Sequence, residues 1–133
     1  MNAGRILREV GLDTDELRVT LLPVNPDRVN VWPASKLIMT TWREGIQGVT
    51  YGRVILVNPE MFVGDRRRLA SLVIHEMVHV RQFHDLGYLG FSIKYLRSYL
   101  TGRFGGKSAR QAYLDVPAEV EARQIAARLS RPV

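Results

Sequence analysis

Five consecutive residues, His75-Glu76-Met77-Val78-His79, constrain this chain more than any other stretch. On an α-helix, residues four apart lie on one face, one turn above the other. Both imidazoles then aim at one point, where a single zinc ion could accept a nitrogen from each. Glu76 lies one step round the helix and can reach a water on an open coordination position, which is what metal-assisted hydrolysis needs. Leu69, Leu72, Val73, Val80 and Phe83 recur at helical intervals around the motif. Asp65 stands where a helix would be capped and Gly87 where one would stop, so a helix is predicted over 66–86. The plainer alternative is a core helix with two hydrogen-bonded histidines. A charged glutamate wedged between them on a mostly apolar segment would then lack a purpose.

The remaining elements follow from local signals. Residues 4–18 read as a helix pair broken at Gly11, with Asp13 as a cap for the second part. Strands are expected over 17–24, 29–32 and 35–42, and most clearly over 49–58, where Pro59 ends the run. After Gly87, Phe91, Tyr95, Leu96, Tyr99 and Leu100 fall on one side of a further helix flanked by Lys94 and Arg97. That side is expected to pack on the core, with a membrane-surface or substrate-side placement as the alternative. Ser108 could cap a helix through Tyr113, and Pro117 suits the first turn of a last helix ending near Ser130. Gly105-Gly106-Lys107-Ser108 shares part of a phosphate-binding loop but lacks its glycine spacing and preceding strand, so a linker is expected.

At 133 residues the expectation is a single domain, 1–133, around one core. There is no cysteine, which excludes disulfides and thiolate ligands, so a metal must use His, Asp or Glu. No run approaches about 20 apolar residues, so no transmembrane segment is expected. The first residues lack a signal-peptide core, and a cytoplasmic location is the default. The net charge of +6 comes mostly from arginine. No nucleic-acid-binding module stands beside that charge, so nucleic acid is not an expected partner.

Two histidines hold zinc weakly, and a catalytic site usually has a third protein ligand. Glu119 and Glu121 border the apolar face of the last helix, one on each side, and geometry alone does not choose between them. Asp85 follows His79 by six residues, but a chain turn returning it to the metal would need a glycine where Gln82 stands. His84 lies about 140° round the helix from His79, on the wrong side.

The pattern His75-Glu76-x-x-His79-Val-x-Gln82, followed by Tyr113-x-x-x-Pro117-x-Glu119-x-Glu121-Ala122, resembles the gluzincin branch of the zincin metallopeptidases, in its minimal bacterial form. The resemblance covers roughly residues 50–130. It implies an α+β fold in which a small, mostly antiparallel sheet packs on the motif helix and a C-terminal glutamate helix. It favours Glu119 over Glu121 as third ligand, because a small residue, Ala122, follows Glu119 by three positions. It implies a zinc peptidase acting on a peptide or protein substrate, with His75, His79 and Glu119 on the metal and Glu76 as general base. The strand before the motif helix, 53–57, would form the cleft rim and take the substrate as an extra strand. Where thermolysin-like members carry an aspartate four residues after the ligand glutamate, this chain has Arg123. Support for the ligands must then come from elsewhere, with Asp115 and Glu121 as candidates. Tyr113 or an arginine could replace the missing oxyanion-steadying histidine. The alternative function is a catalytically silent zinc-binding interaction or regulatory domain. Oligomeric state and cleavage preference are left open.

Overall fold

The computed structural model describes residues 1–42 and 45–131. In chain order the elements are α1 (Ala3–Glu9), α2 (Asp15–Thr20), a 3-10 turn (Pro26–Arg28), β1 (Asn30–Pro33), α3 (Lys36–Met39), β2 (Gly48–Tyr51), β3 (Val54–Val57), α4 (Pro59–Val63), α5 (Arg66–Phe104), α6 (Ala109–Leu114) and α7 (Pro117–Leu129). The class is α+β, dominated by helix.

Helix starts are set by side chains that accept otherwise unpaired backbone N–H groups. Thr14 receives Leu17 N–H, Asp65 receives those of Arg67 and Arg68, and Ser108 receives that of Gln111. The cap of α2 is thus Thr14 in place of Asp13. The expected strand over 17–24 is instead the end of α2 and the loop after it. Leu17 and Leu21, four apart and both fully buried, make one helical face, which outweighs the partial alternation. The expected strand over 35–42 is replaced by the short helix α3, because Ser35 accepts the Ile38 N–H and closes a turn. The run 49–58 is a hairpin, β2 and β3, reversing at Gly52. Gly52 has φ of 63°, a conformation glycine adopts without strain.

The sheet has the order β1-β3-β2. It is mixed, not mostly antiparallel: β3 pairs antiparallel with β2 and parallel with β1. Ile55 and Val57 of β3 are fully buried, so this strand takes the middle and β1 joins its other side. A central β3 has both ladders filled and no free edge. Among the described residues the edge strand beside the motif helix is β2, so the stretch 53–57 does not offer the free edge expected of it.

The core lies between this sheet, α1, α2, α5 and α7. Ile6, Leu7, Leu17, Val31, Ile55, Leu69, Val73, Ile74 and Met77 are fully buried within it. Each such aliphatic side chain contributes about 1.5–3 kcal/mol through removal from water. The motif part of α5 is enclosed nearly all round, as its mixed apolar sequence demands.

The helical run of α5 breaks at Gly87, whose φ of 71° and ψ of 164° are not helical. A straight helix would place Tyr95 about 24 Å along the axis from His79. The break folds the second arm back, so that the Phe91 ring centroid lies 6.1 Å from that of His79.

Candidate metal centre

His75 and His79 project from the first arm of α5 with ring centroids 5.1 Å apart. Glu119, in the first turn of α7, reaches across to both. Its Oε2 is 3.1 Å from His75 Nε2 and its Oε1 is 3.1 Å from His79 Nε2. One ligating atom from each of the three residues lies within 4.8 Å of the others, and the cluster could hold a metal ion. Two imidazole nitrogens and a carboxylate oxygen are a donor set that zinc accepts. Glu119 and His79 are buried, and His75 is half-buried, so the centre is open on the His75 side.

Pro117 at the first position of α7 fixes the helix start that aims Glu119 inward. Glu121, two residues on and about 200° round α7, points elsewhere. Its Oε1 accepts from Gln82 Nε2 at 3.0 Å and from Arg81 Nη2 at 2.9 Å. Gln82 Nε2 also donates to the Ala118 carbonyl at 3.1 Å. With its amide nitrogen so engaged, Gln82 turns Oε1 toward His79 Nδ1, 2.7 Å away. His79 therefore carries its proton on Nδ1 and presents Nε2 to the centre. Glu121 thus supports the site through Gln82.

The charge balance follows from these contacts. Burial opposes charging the His79 ring. Its hydrogen bond to Glu119, the nearby Glu76 charge and the Gln82 contact outweigh burial and push the imidazole up to about 9. Burial likewise works against the Glu119 carboxylate, yet hydrogen bonds from His75 and His79 hold its pKa far below the ordinary glutamate range. A cation entering between them would replace the proton on Nε2.

Glu76 is buried beside the centre. Its Oε2 is 2.8 Å from the hydroxyl of Thr50 on β2, and its backbone carbonyl is 3.0 Å from the same hydroxyl. Tyr95, on the second arm of α5, donates to Glu119 Oε1 at 3.0 Å. Burial, reinforced by the charges of Glu119 and Glu76, pushes the Tyr113 phenol above its ordinary range, so it stays protonated at neutral pH. Thr50, Glu76, His79, Phe91, Tyr95, Tyr113 and Glu119 line one cavity of about 200 Å³. An adjoining groove of about 480 Å³ is walled by Trp42, Tyr51, Tyr95, Leu96, Tyr99 and Tyr113.

The structure thus brings together His75, His79, Glu76, Glu119 and Tyr113. His84 and Asp85 stay on the surface, 3.4 Å from each other. Asp115 is also outside the site, engaged by Lys107 and Gln111. Sequence reasoning missed Thr50, Gln82 and Tyr95 as contributors. Only Gln82, at the helical step after His79 that returns to the same face, left a readable trace.

Comparison with protein-family models, with curated proteins and with solved structures returns no match to this chain.

Proposed function

We propose that the chain is a zinc-dependent peptidase of the minimal gluzincin kind. The observation that carries this reading is the convergence of His75, His79 and Glu119 within 4.8 Å, with Glu76 in the same cavity as His79 and Glu119. A zinc ion held there would supply Lewis-acid chemistry, making water acidic near neutral pH and polarising a scissile carbonyl.

The chain's own groups do the rest. The Glu76 carboxylate takes the proton of the attacking water and returns it to the leaving amine. The Thr50 hydroxyl, 2.8 Å from Glu76 Oε2, fixes the direction of that carboxylate. Tyr113 carries an O–H donor at the cavity wall, suited to charge developing on a carbonyl oxygen, while the Tyr95 hydroxyl steadies Glu119 Oε1. The open edge of β2 runs past the cavity through Gly48, Val49 and Thr50, and its unpaired backbone groups can bind an extended peptide as a fourth strand. The aromatic groove beside it fits a large apolar side chain.

The test is metal content and peptide cleavage across four proteins. The wild type should bind one zinc and cleave members of a broad peptide library. Glu119→Ala should lose the zinc, Glu121→Ala should retain it, and Glu76→Gln should retain zinc and lose cleavage. Zinc without cleavage in the wild type would support the silent binding domain instead. Zinc retained by Glu119→Ala would remove Glu119 from the ligand set.

A further inference from the structure

The second arm of α5 buries Phe91 and turns a different set of side chains outward. Leu89, Ile93, Leu96, Leu100 and Phe104 are 74, 58, 56, 39 and 87 % exposed. At 100° per residue these five fall within an arc of about 80°, whose centre lies opposite Phe91. The expectation that Leu96 and Leu100 pack on the core with Phe91 and Tyr95 is therefore corrected: both are exposed, Leu96 at the border of the stripe where it also walls the aromatic groove. A continuous row of five large apolar side chains on a helix surface marks a place where something docks.

Charge identifies what docks. Arg97 and Arg103 sit just outside the arc, one on each border, with Lys94 further round on the Arg97 side. Between Asp85 and Asp115 there is no acidic residue, while Lys94, Arg97, Arg103, Lys107 and Arg110 are all basic. An apolar stripe bordered by long cationic side chains suits the boundary of an anionic bilayer, with the stripe among acyl chains and the cations reaching up to headgroups. The 4-3-4 spacing of Leu89, Ile93, Leu96 and Leu100 would also suit a seam between two copies of the chain. Such a seam would set Arg97 and Arg103 against their counterparts, with no carboxylate on the segment to offset them. No helix among the described residues is long and apolar enough to cross a membrane, so the contact is with the surface.

We propose that the second arm of α5 is an interfacial helix that seats the protein on anionic lipid surfaces through Leu89, Ile93, Leu96, Leu100 and Phe104. Phe91 and Tyr95, on the inward side of the same arm, line the metal-site cavity. The seated helix therefore holds that cavity next to the bilayer, whatever reaction it performs.

The experiment is vesicle co-sedimentation of the full chain. Vesicles of phosphatidylcholine alone are compared with vesicles in which roughly a third of the lipid is phosphatidylserine, at low and high salt. The protein should sediment with the anionic vesicles, at least about tenfold more than with neutral ones, and less at high salt. The double substitution Leu89→Glu and Ile93→Glu lies on the solvent face and should keep the circular dichroism spectrum. It should lower partitioning at least about tenfold. Absence of binding to anionic vesicles, or binding unchanged by the double substitution, would overturn the proposal. So would a dimer in sedimentation velocity that the same substitutions dissociate, because the stripe would then be a seam between copies.

Discussion

Gln82 Oε1 lies 2.7 Å from His79 Nδ1, and the amide nitrogen of the same side chain is held by Ala118 and Glu121 of α7. The imidazole that faces the candidate metal centre is thus oriented by α7 through a neutral relay, in a place where a carboxylate would add negative charge to a site that already contains Glu76 and Glu119. Replacing Gln82 by Leu keeps the volume and removes the relay. Zinc affinity should fall about ten- to a hundredfold, read by competition with a chromophoric chelator. Glu121→Gln leaves an acceptor for the Gln82 amide and should cost less. Equal affinity in Gln82→Leu and wild type would show that His79 needs no such support.

Thr50 acts on the other side of the centre. Its hydroxyl has one proton and two acceptors on Glu76, the carboxylate and the backbone carbonyl, and so ties the proposed general base to β2. Thr50→Val preserves shape and deletes the donor. Turnover on a substrate of the wild type should fall about tenfold, with zinc content unchanged, because a freed carboxylate samples more directions. Loss of zinc in Thr50→Val would place Thr50 in the metal's support instead.

These two contacts show what a sequence exposes and what it hides. His75, Glu76 and His79 were legible because one helix fixes their mutual geometry by spacing alone. Glu119 needed packing between α5 and α7, which spacing does not encode, and the residues alone left it level with Glu121. The caps at Asp65 and Ser108 were readable because capping is a contact over three residues. The strands expected over 17–24 and 35–42 failed for the same local reason, since the caps at Thr14 and Ser35 decided for helix. Thr50 sits 26 residues from Glu76 and Tyr95 sits 24 from Glu119, and no periodicity joins such pairs.

The metal-free protein should show a characteristic pH dependence. The His79 pKa is raised in the fold from 6.5 to about 9. Its charge therefore stabilises the fold fully below 6.5, and that contribution is lost as pH climbs through about 9. Glu119 is lowered from 4.5, so its contribution is present above 4.5 and is lost as pH falls through the folded value. After chelation, this cluster should be most stabilising between 4.5 and 6.5, and the melting temperature should drop by roughly a few degrees toward pH 9.5. Glu119→Gln removes one of the two carboxylate charges that raise His79, with its hydrogen bond, and should shrink the alkaline limb. A limb of undiminished size in Glu119→Gln would trace to another group.

Gly87 is where the two arms of α5 meet, and its backbone decides whether the second arm reaches the site. With φ at 71° and ψ at 164°, it occupies a region closed to residues with a side chain. A methyl group there would meet nothing within 4 Å, so the cost of Gly87→Ala is purely conformational. That cost is about 1–3 kcal/mol, or a fall of roughly 4–11 °C in melting temperature. Gly90, three residues on, provides the contrast: it is helical, and an added methyl would touch only Leu86 Cβ, at an ordinary 3.7 Å. Gly90→Ala should therefore be neutral or stabilising by up to about 1 kcal/mol, since alanine favours helix. Relief of the Gly87 strain by straightening would carry Phe91 and Tyr95 away from His79 and Glu119. Gly87→Ala should accordingly lose both stability and the Tyr95 contact, read as exposure of the tyrosines to solvent quenchers. A Gly87→Ala protein as stable as the wild type would mean that the arms join in some other way.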